Sequence, residues 1–194
     1  MIVVLGRPQL DERGALSGRA GRIAAAAAGA GAGVEIVGGV IDDGTGDATI
    51  TALGRQRIGH AAVLRTSQAG EPQLDAADIE LALRYLTECR VLVIADPLGD
   101  AALATAIDGA RYHGAELVVA ATQARLPDDD GMPEHSTVLD APDEDDGAFA
   151  GLVGRYAAQL EAGRESADAW RDALDATGWE ATAIEDEAGV GAES

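Results

Sequence analysis

The chain has 194 residues, which suits one domain large enough to bury a core. Its 34 acidic side chains outnumber 14 basic ones, all of them Arg, and the net charge of −20 disfavours nucleic acid and anionic membranes as partners. The apolar fraction of 47% comes mainly from Ala and only 3% of residues are aromatic, so the expected core is short aliphatic strands against closely packed, Ala-lined helices.

The carboxylates are spread from Asp11 to Glu193, and neither Lys nor Asn occurs. Three readings of that balance compete. Adaptation to a high-salt cytoplasm, where screening removes much of the repulsion, is the expectation adopted. The others are an acidic surface for a basic partner and GC-rich coding that favours Ala, Gly, Arg and Asp. The single cysteine, Cys89, excludes an intramolecular disulfide and reads as a buried thiol between a helix and a strand. The start, MIVVLGRPQLD, has no basic stretch followed by a long apolar run, and no segment reaches membrane-spanning length. A cytoplasmic location is expected.

In chain order, Ile2–Leu5 is an apolar run stopped by Gly6, the mark of a buried parallel strand. Gly18–Ala30 is Ala-rich and helical, and Val34–Val37 is the next strand. Asp43 is placed to cap an amphipathic helix over Gly44–Ile58, with Ile50, Leu53 and Ile58 on one side. Ala61–Leu64 reads as a third strand, and after the polar turn Thr66–Gln73, Asp75 caps a helix carrying Ile79, Leu83 and Leu86. Val91–Ala95 is a strand ended by Asp96-Pro97. Asp100–His113 is a helix closed by Gly114, and Glu116–Ala121 is a further strand. Gln123–Pro142 is polar and reads as loop. A helix over Ala148–Gly163 follows, and Ser166 is expected to cap a last helix to about Thr177.

This alternation predicts a three-layer α/β/α sandwich with a mostly parallel sheet, a single domain over residues 1–178. Residues 179–194 are acidic, lack a packing face and are expected to be a disordered tail. Gly29, Gly31 and Gly33 follow a helix and open a strand, the reverse of the order a dinucleotide fingerprint needs. His60, His113 and His135 lack zinc-like spacing, Asp42-Asp43-Gly44 lacks the alternating ligands of a calcium loop, and no G-x-S-x-G elbow occurs, so no metal is expected.

Several segments fall in a familiar order: Gly6-Arg-Pro-Gln-Leu-Asp11; Ser17-Gly-Arg-Ala-Gly-Arg-Ile-Ala24 with Ala27–Ala32; Gly39-Val-Ile-Asp-Asp-Gly-Thr-Gly46; and Gly147-Ala-Phe-Ala-Gly151 followed by Leu160–Gly163. In this order the chain resembles the ribokinase-like carbohydrate kinases (the PfkB superfamily), as a reduced member. The resemblance implies a sugar-like ligand, with ATP and Mg as co-substrate and metal if the reaction is retained. It makes Asp11, the counterpart of a sugar-binding aspartate, a candidate ligand residue, with Arg22 and Asp42 beside it. Arg22 stands where the family signature has an asparagine, and unlike that amide it cannot accept a hydrogen bond. Pairing of Arg22 with Asp11 or Asp42 is expected to close the former sugar site.

The family's G-A-G-D motif supplies an anion hole and a base. Its anion-hole position falls on Gly147 and Ala148, where the base becomes a glycine and the preceding Asp143-Glu144-Asp145-Asp146 opposes a phosphate. Only a one-residue slip puts Asp146 in the base position. The family's ATP-binding segments and lid strands have no counterpart here, which leaves a sheet edge that a homodimer could cover. The leading expectation is a non-catalytic relative, sugar-binding or regulatory. An active kinase using Asp146 and an unrelated Rossmann-like interaction domain are the alternatives.

Overall fold

The computed structural model describes residues 1–67, 72–120, 126, 131–142 and 147–178. The apolar run Ile2–Leu5 is fully buried and forms β1, near the middle of a six-stranded sheet. β2 (Gln9–Leu10) and β3 (Leu16–Ser17) make a short antiparallel hairpin, and α1 (Gly18–Gly29) returns the chain to β4 (Val34–Ile41) beside β1. α2 (Gly44–Arg55) leads to β5 (Gly59–Thr66) at one sheet edge, and α3 (Ala76–Tyr85) carries the chain back across to β6 (Val91–Ile94) on the other side of β1. α4 (Asp100–His113), β7 (Glu116–Val119) and β8 (Ser136–Val138) follow, then α5 (Ala148–Glu161) and α6 (Ser166–Thr177). The order is β5-β4-β1-β6-β7-β8, with every pairing parallel.

Strand periodicity divides the core in two. Ile2, Val4, Ile36, Val91, Val93 and Val118 face a cluster built with α1, α2, α5 and α6. Val3, Leu5, Val37, Leu92, Ile94 and Leu117 face α3 and α4. Helices therefore cover both faces, as expected for strands that read as continuous apolar runs. Small residues allow close approach: an added Cβ at Gly154 in α5 would stand 2.7 Å from Ala26 Cβ of α1. Cys89 is buried, its Sγ donates to Val91 O at 3.6 Å, and burial pushes its thiol up to about 12.

The expected caps form at three places. Asp43 accepts from Thr45 N and Gly46 N, Asp75 makes a capping box with Asp78, and Gly114 ends α4 in the left-handed conformation. Ser166 does not cap α6. Its Oγ bonds Tyr156 Oη at 2.7 Å, and Tyr156 Oη also meets Thr137 Oγ1 at 2.9 Å, so the serine ties α6 to α5 and β8. Part of the stretch read as loop is β8, a polar edge strand held by β7. The helix read to Ile58 ends at Arg55, and Arg57 adopts a positive φ of 58°. The tail 179–194 lies outside the described residues.

Gly38 lets the chain after β1 cross β4, because a Cβ there would overlap the Gly6 carbonyl oxygen and stand 3.0 Å from Pro8 Cδ. Backbone cannot yield as a side-chain tip can. Gly38→Ala is expected to cost about 1–3 kcal/mol in urea denaturation; an unchanged midpoint would contradict this packing.

Candidate ligand-binding crevice

α1 leaves the end of β1 toward one face of the sheet, and α4 leaves the end of β6 toward the other. Adjacent strands whose connections diverge leave a crevice at their carboxyl ends, the usual ligand position in open parallel sheets. A cavity of about 520 Å³ lies there.

Its walls follow from the residues just past each strand. Asp96, two residues past the end of β6, accepts the Arg7 backbone N–H at 2.6 Å through Oδ2 and so joins the ends of β1 and β6. Gly6 makes room for that contact: an added Cβ would stand 2.8 Å from Asp96 Oδ2 and 2.7 Å from Ala20 Cβ. The Gln9 amide, oriented with its oxygen toward the guanidinium, accepts from Arg7 Nε at 2.9 Å. The same side chain lies over Gly18, the first residue of α1. Arg19, one residue on, is half-buried, and its Nη2 donates to Pro142 O at 3.3 Å. Pro97, Leu98 and Gly99 complete the side toward α4.

Pro72 packs over Gly39 of β4, and both line this cavity and a neighbouring one of about 530 Å³. The second cavity reaches the start of α2, where Asp43, Thr45 and Thr49 line it. Arg7 and Gln9 also belong to both, so the two lobes share one wall. This arrangement can accept hydroxyl protons at Asp96 and Gln9 and donate from two guanidinium groups. No group of three or more His, Cys, Asp or Glu suited to a metal occurs among the described residues.

The residues singled out from sequence lie elsewhere. Asp11 is exposed at the hairpin turn, where its Oδ1 accepts from Arg13 N at 2.9 Å and Ala15 N at 2.8 Å. Asp42 is exposed and pairs with Arg65 at 3.3 Å, and Arg65 also meets Asp47 at 2.8 Å. Arg22 lies against Gly147, where an added Cβ would be 3.0 Å from its Nη1. The structure thus brings Arg22 to the anion-hole position at the start of α5, while Asp11 and Asp42 are engaged locally. None of the three lines either lobe. Gly147 precedes Ala148, the first residue of α5, with φ 103° and no side-chain cap. Asp146 and the acidic residues before it lie outside the described residues.

Sequence reasoning passed over Arg7, Gln9, Arg19 and Asp96. Gly6 and Asp96-Pro97 were legible only as strand stops, although a polar residue directly after a buried apolar run is also where a parallel sheet presents side chains to a ligand.

No protein-family model matches the chain, and no curated protein matches it by sequence. Solved structures do match. Sa239 superposes with a TM-score of 0.68 at 13% identity over 91% of this chain and 92% of that one. A protein from E. coli described as ribokinase II, in complex with ATP and Mg2+, gives 0.63 at 12% identity, with 89% of each chain covered. The tetrameric inhibited form of phosphofructokinase-2 from Escherichia coli gives 0.60 at 14% identity over 91% and 92%. The fold is ribokinase-like, a three-layer α/β/α sandwich.

Removing the Asp96 carboxylate leaves the Arg7 N–H without its acceptor. Asp96→Ala is expected to cost about 1.5–3 kcal/mol and Asp96→Asn less, since the amide oxygen still accepts. Urea denaturation of both variants checks this, and equal loss in the two would contradict the assigned bond.

Proposed function

We propose that this chain is a non-catalytic, ribokinase-like binding domain that holds a small polyhydroxylated, sugar-like ligand in the crevice between β1 and β6. The observation that carries the reading is the cavity of about 520 Å³ at the strand-order reversal, walled by Asp96, Gln9, Arg7 and Arg19. Its hydrogen-bonding groups suit hydroxyls, and its size suits a monosaccharide with room to spare.

The start of α5 supports the non-catalytic part. Where the kinase pattern calls for a base, Gly147 has no side chain, and the Arg22 side chain fills the space beside it. Neither lobe of the crevice is lined by Gly147 or Ala148, so the described residues there do not form a cradle for the ATP and Mg2+ held by the E. coli protein. No phosphoryl-transfer step is derived. Asp11, Arg22 and Asp42 then support the walls from outside. Asp11 shapes the β2–β3 turn below Gln9, and Asp42 with Arg65 orders the end of β4.

Among the described residues β5 stands at one edge of the sheet, with Ile41 and Leu64 exposed beside it, a surface that a homodimer could cover. No helix among the described residues is long and apolar enough to cross a membrane. The single buried thiol and the acidic composition fit a cytoplasmic protein at high salt.

Two measurements on the full chain test this. Sugars and sugar derivatives should raise the thermal midpoint in a saturable way, and Mg-ATP with the same panel should give no phosphorylated product. Turnover that disappears in Asp146→Ala would overturn the reading in favour of an active kinase.

A further inference from the structure

The head of β5, at the opposite end of the sheet from the crevice, holds a carboxylate in an unusual place. β4 and β5 pair at Glu35 with Gly59 and resume at Val37 with Ala62, so β5 spends one residue more than β4 between the two points. His60 and Ala61 make that bulge on the edge strand. Glu35 stands between Val3 of β1 and Gly59 of β5, on the face of the sheet that carries Val37 and is covered by α3. Its carboxylate lies over Gly59, where an added Cβ would overlap both oxygens. Only glycine leaves room for it there.

The surroundings suit a neutral carboxyl better than a carboxylate. Oε2 is buried and has no hydrogen-bond partner. Burial pushes the Glu35 carboxyl above the ordinary glutamate value of 4.5, while the charge of His60 and the Ala61 backbone N–H oppose that rise. The His60 ring is itself anchored, with Nδ1 3.1 Å from Ile58 O. No other charged side chain among the described residues acts on Glu35. Val3 and Val37 flank it on β1 and β4, Ala61 and Ala62 follow on β5, and α3 turns Ile79, Ala82 and Leu83 to this face.

We propose that Glu35 makes the head of β5 a proton-operated latch, shut when the carboxyl is protonated and opening more often when it is ionised. A neutral carboxyl gives up far less hydration than a carboxylate when the bulge closes over it. The folded chain therefore takes up this proton at a higher pH than the unfolded chain does. The resulting stabilisation is complete below 4.5 and is lost as pH rises through the raised value. β5 pairs with β4 alone among the described residues, so its head can open without moving another strand.

Amide hydrogen exchange on the full chain tests this, with opening constants of the β5 amides measured at fixed ionic strength from about pH 4.5 to about pH 7.5. Acidification weakens repulsion throughout a chain of net charge −20, so the effect is read against the β6 amides of the same sample. Opening of the β5 head should rise about threefold or more across this range relative to β6. Glu35→Gln should abolish the rise and keep the head shut at the upper end of the range. A rise that persists unchanged in Glu35→Gln, or no rise in the unaltered chain, would overturn the proposal. Should that variant fail to fold, carbon-13 titration of the Glu35 carboxyl in the unaltered chain is the second measurement. A midpoint above 4.5 that moves further up in His60→Gln is expected, and a midpoint at or below 4.5 would overturn the latch.

Discussion

The bond from the Arg7 backbone to Asp96 Oδ2, 2.6 Å long, holds together the place where this sheet changes direction. β1 and β6 are neighbours in the sheet, but their connections leave for opposite faces, and past Ile94 the backbone adds the bond from Ala95 N–H to Leu5 O at 2.9 Å. Asp96 adds a side-chain tie one residue beyond it. It requires Gly6, because a side chain there would meet both the carboxylate and Ala20. The turn that follows sends Gln9 over the start of α1, so the hairpin, the helix start and the cavity wall meet beside this bond.

The distribution of charge follows a related logic. A chain with a net charge of −20 repels anionic ligands over most of its surface, and screening by salt limits that repulsion to roughly a Debye length. The described wall of the crevice holds Arg7, Arg19 and Asp96 and two helix starts without a side-chain cap. The sequence before α5 is strongly acidic. The described groups are Gly147 and the Arg22 side chain, and four carboxylates immediately precede them in sequence. A phosphate site is thus disfavoured by sequence where the kinase pattern would have its reaction.

Much of the fold was legible because it rests on local signals. Apolar runs such as Ile2–Leu5 and Val91–Ile94 mark buried strands, Asp43 and Asp75 mark helix starts, and Gly114 marks a helix end. What escaped depends on distant partners. β8 is Ser136-Thr137-Val138, a short run that becomes a strand through pairing with β7, and the two-residue strands of the β2–β3 hairpin exist through their mutual pairing. Ser166 carries the side chain of a cap, yet a buried tyrosine ten residues earlier claims its hydroxyl. The site was hidden for the same reason. Arg7 and Asp96 are 89 residues apart, and their meeting depends on β6 joining β1 on the side opposite β4. A resemblance between motifs pointed to Asp11, Arg22 and Asp42, but it could not reveal that local turns and ion pairs engage two of them.

The central claim is that ligand binds between β1 and β6 and not at the start of α5. Amide chemical-shift mapping tests it most directly, with the isotope-labelled full chain titrated with the tightest sugar derivative of the panel. The account predicts saturable shifts centred on Gly6, Arg7, Gly18, Arg19 and Gly99, with Gly147 and Ala148 unmoved. Shifts centred on Gly147 and Ala148, with the β1–β6 crevice silent, would contradict it.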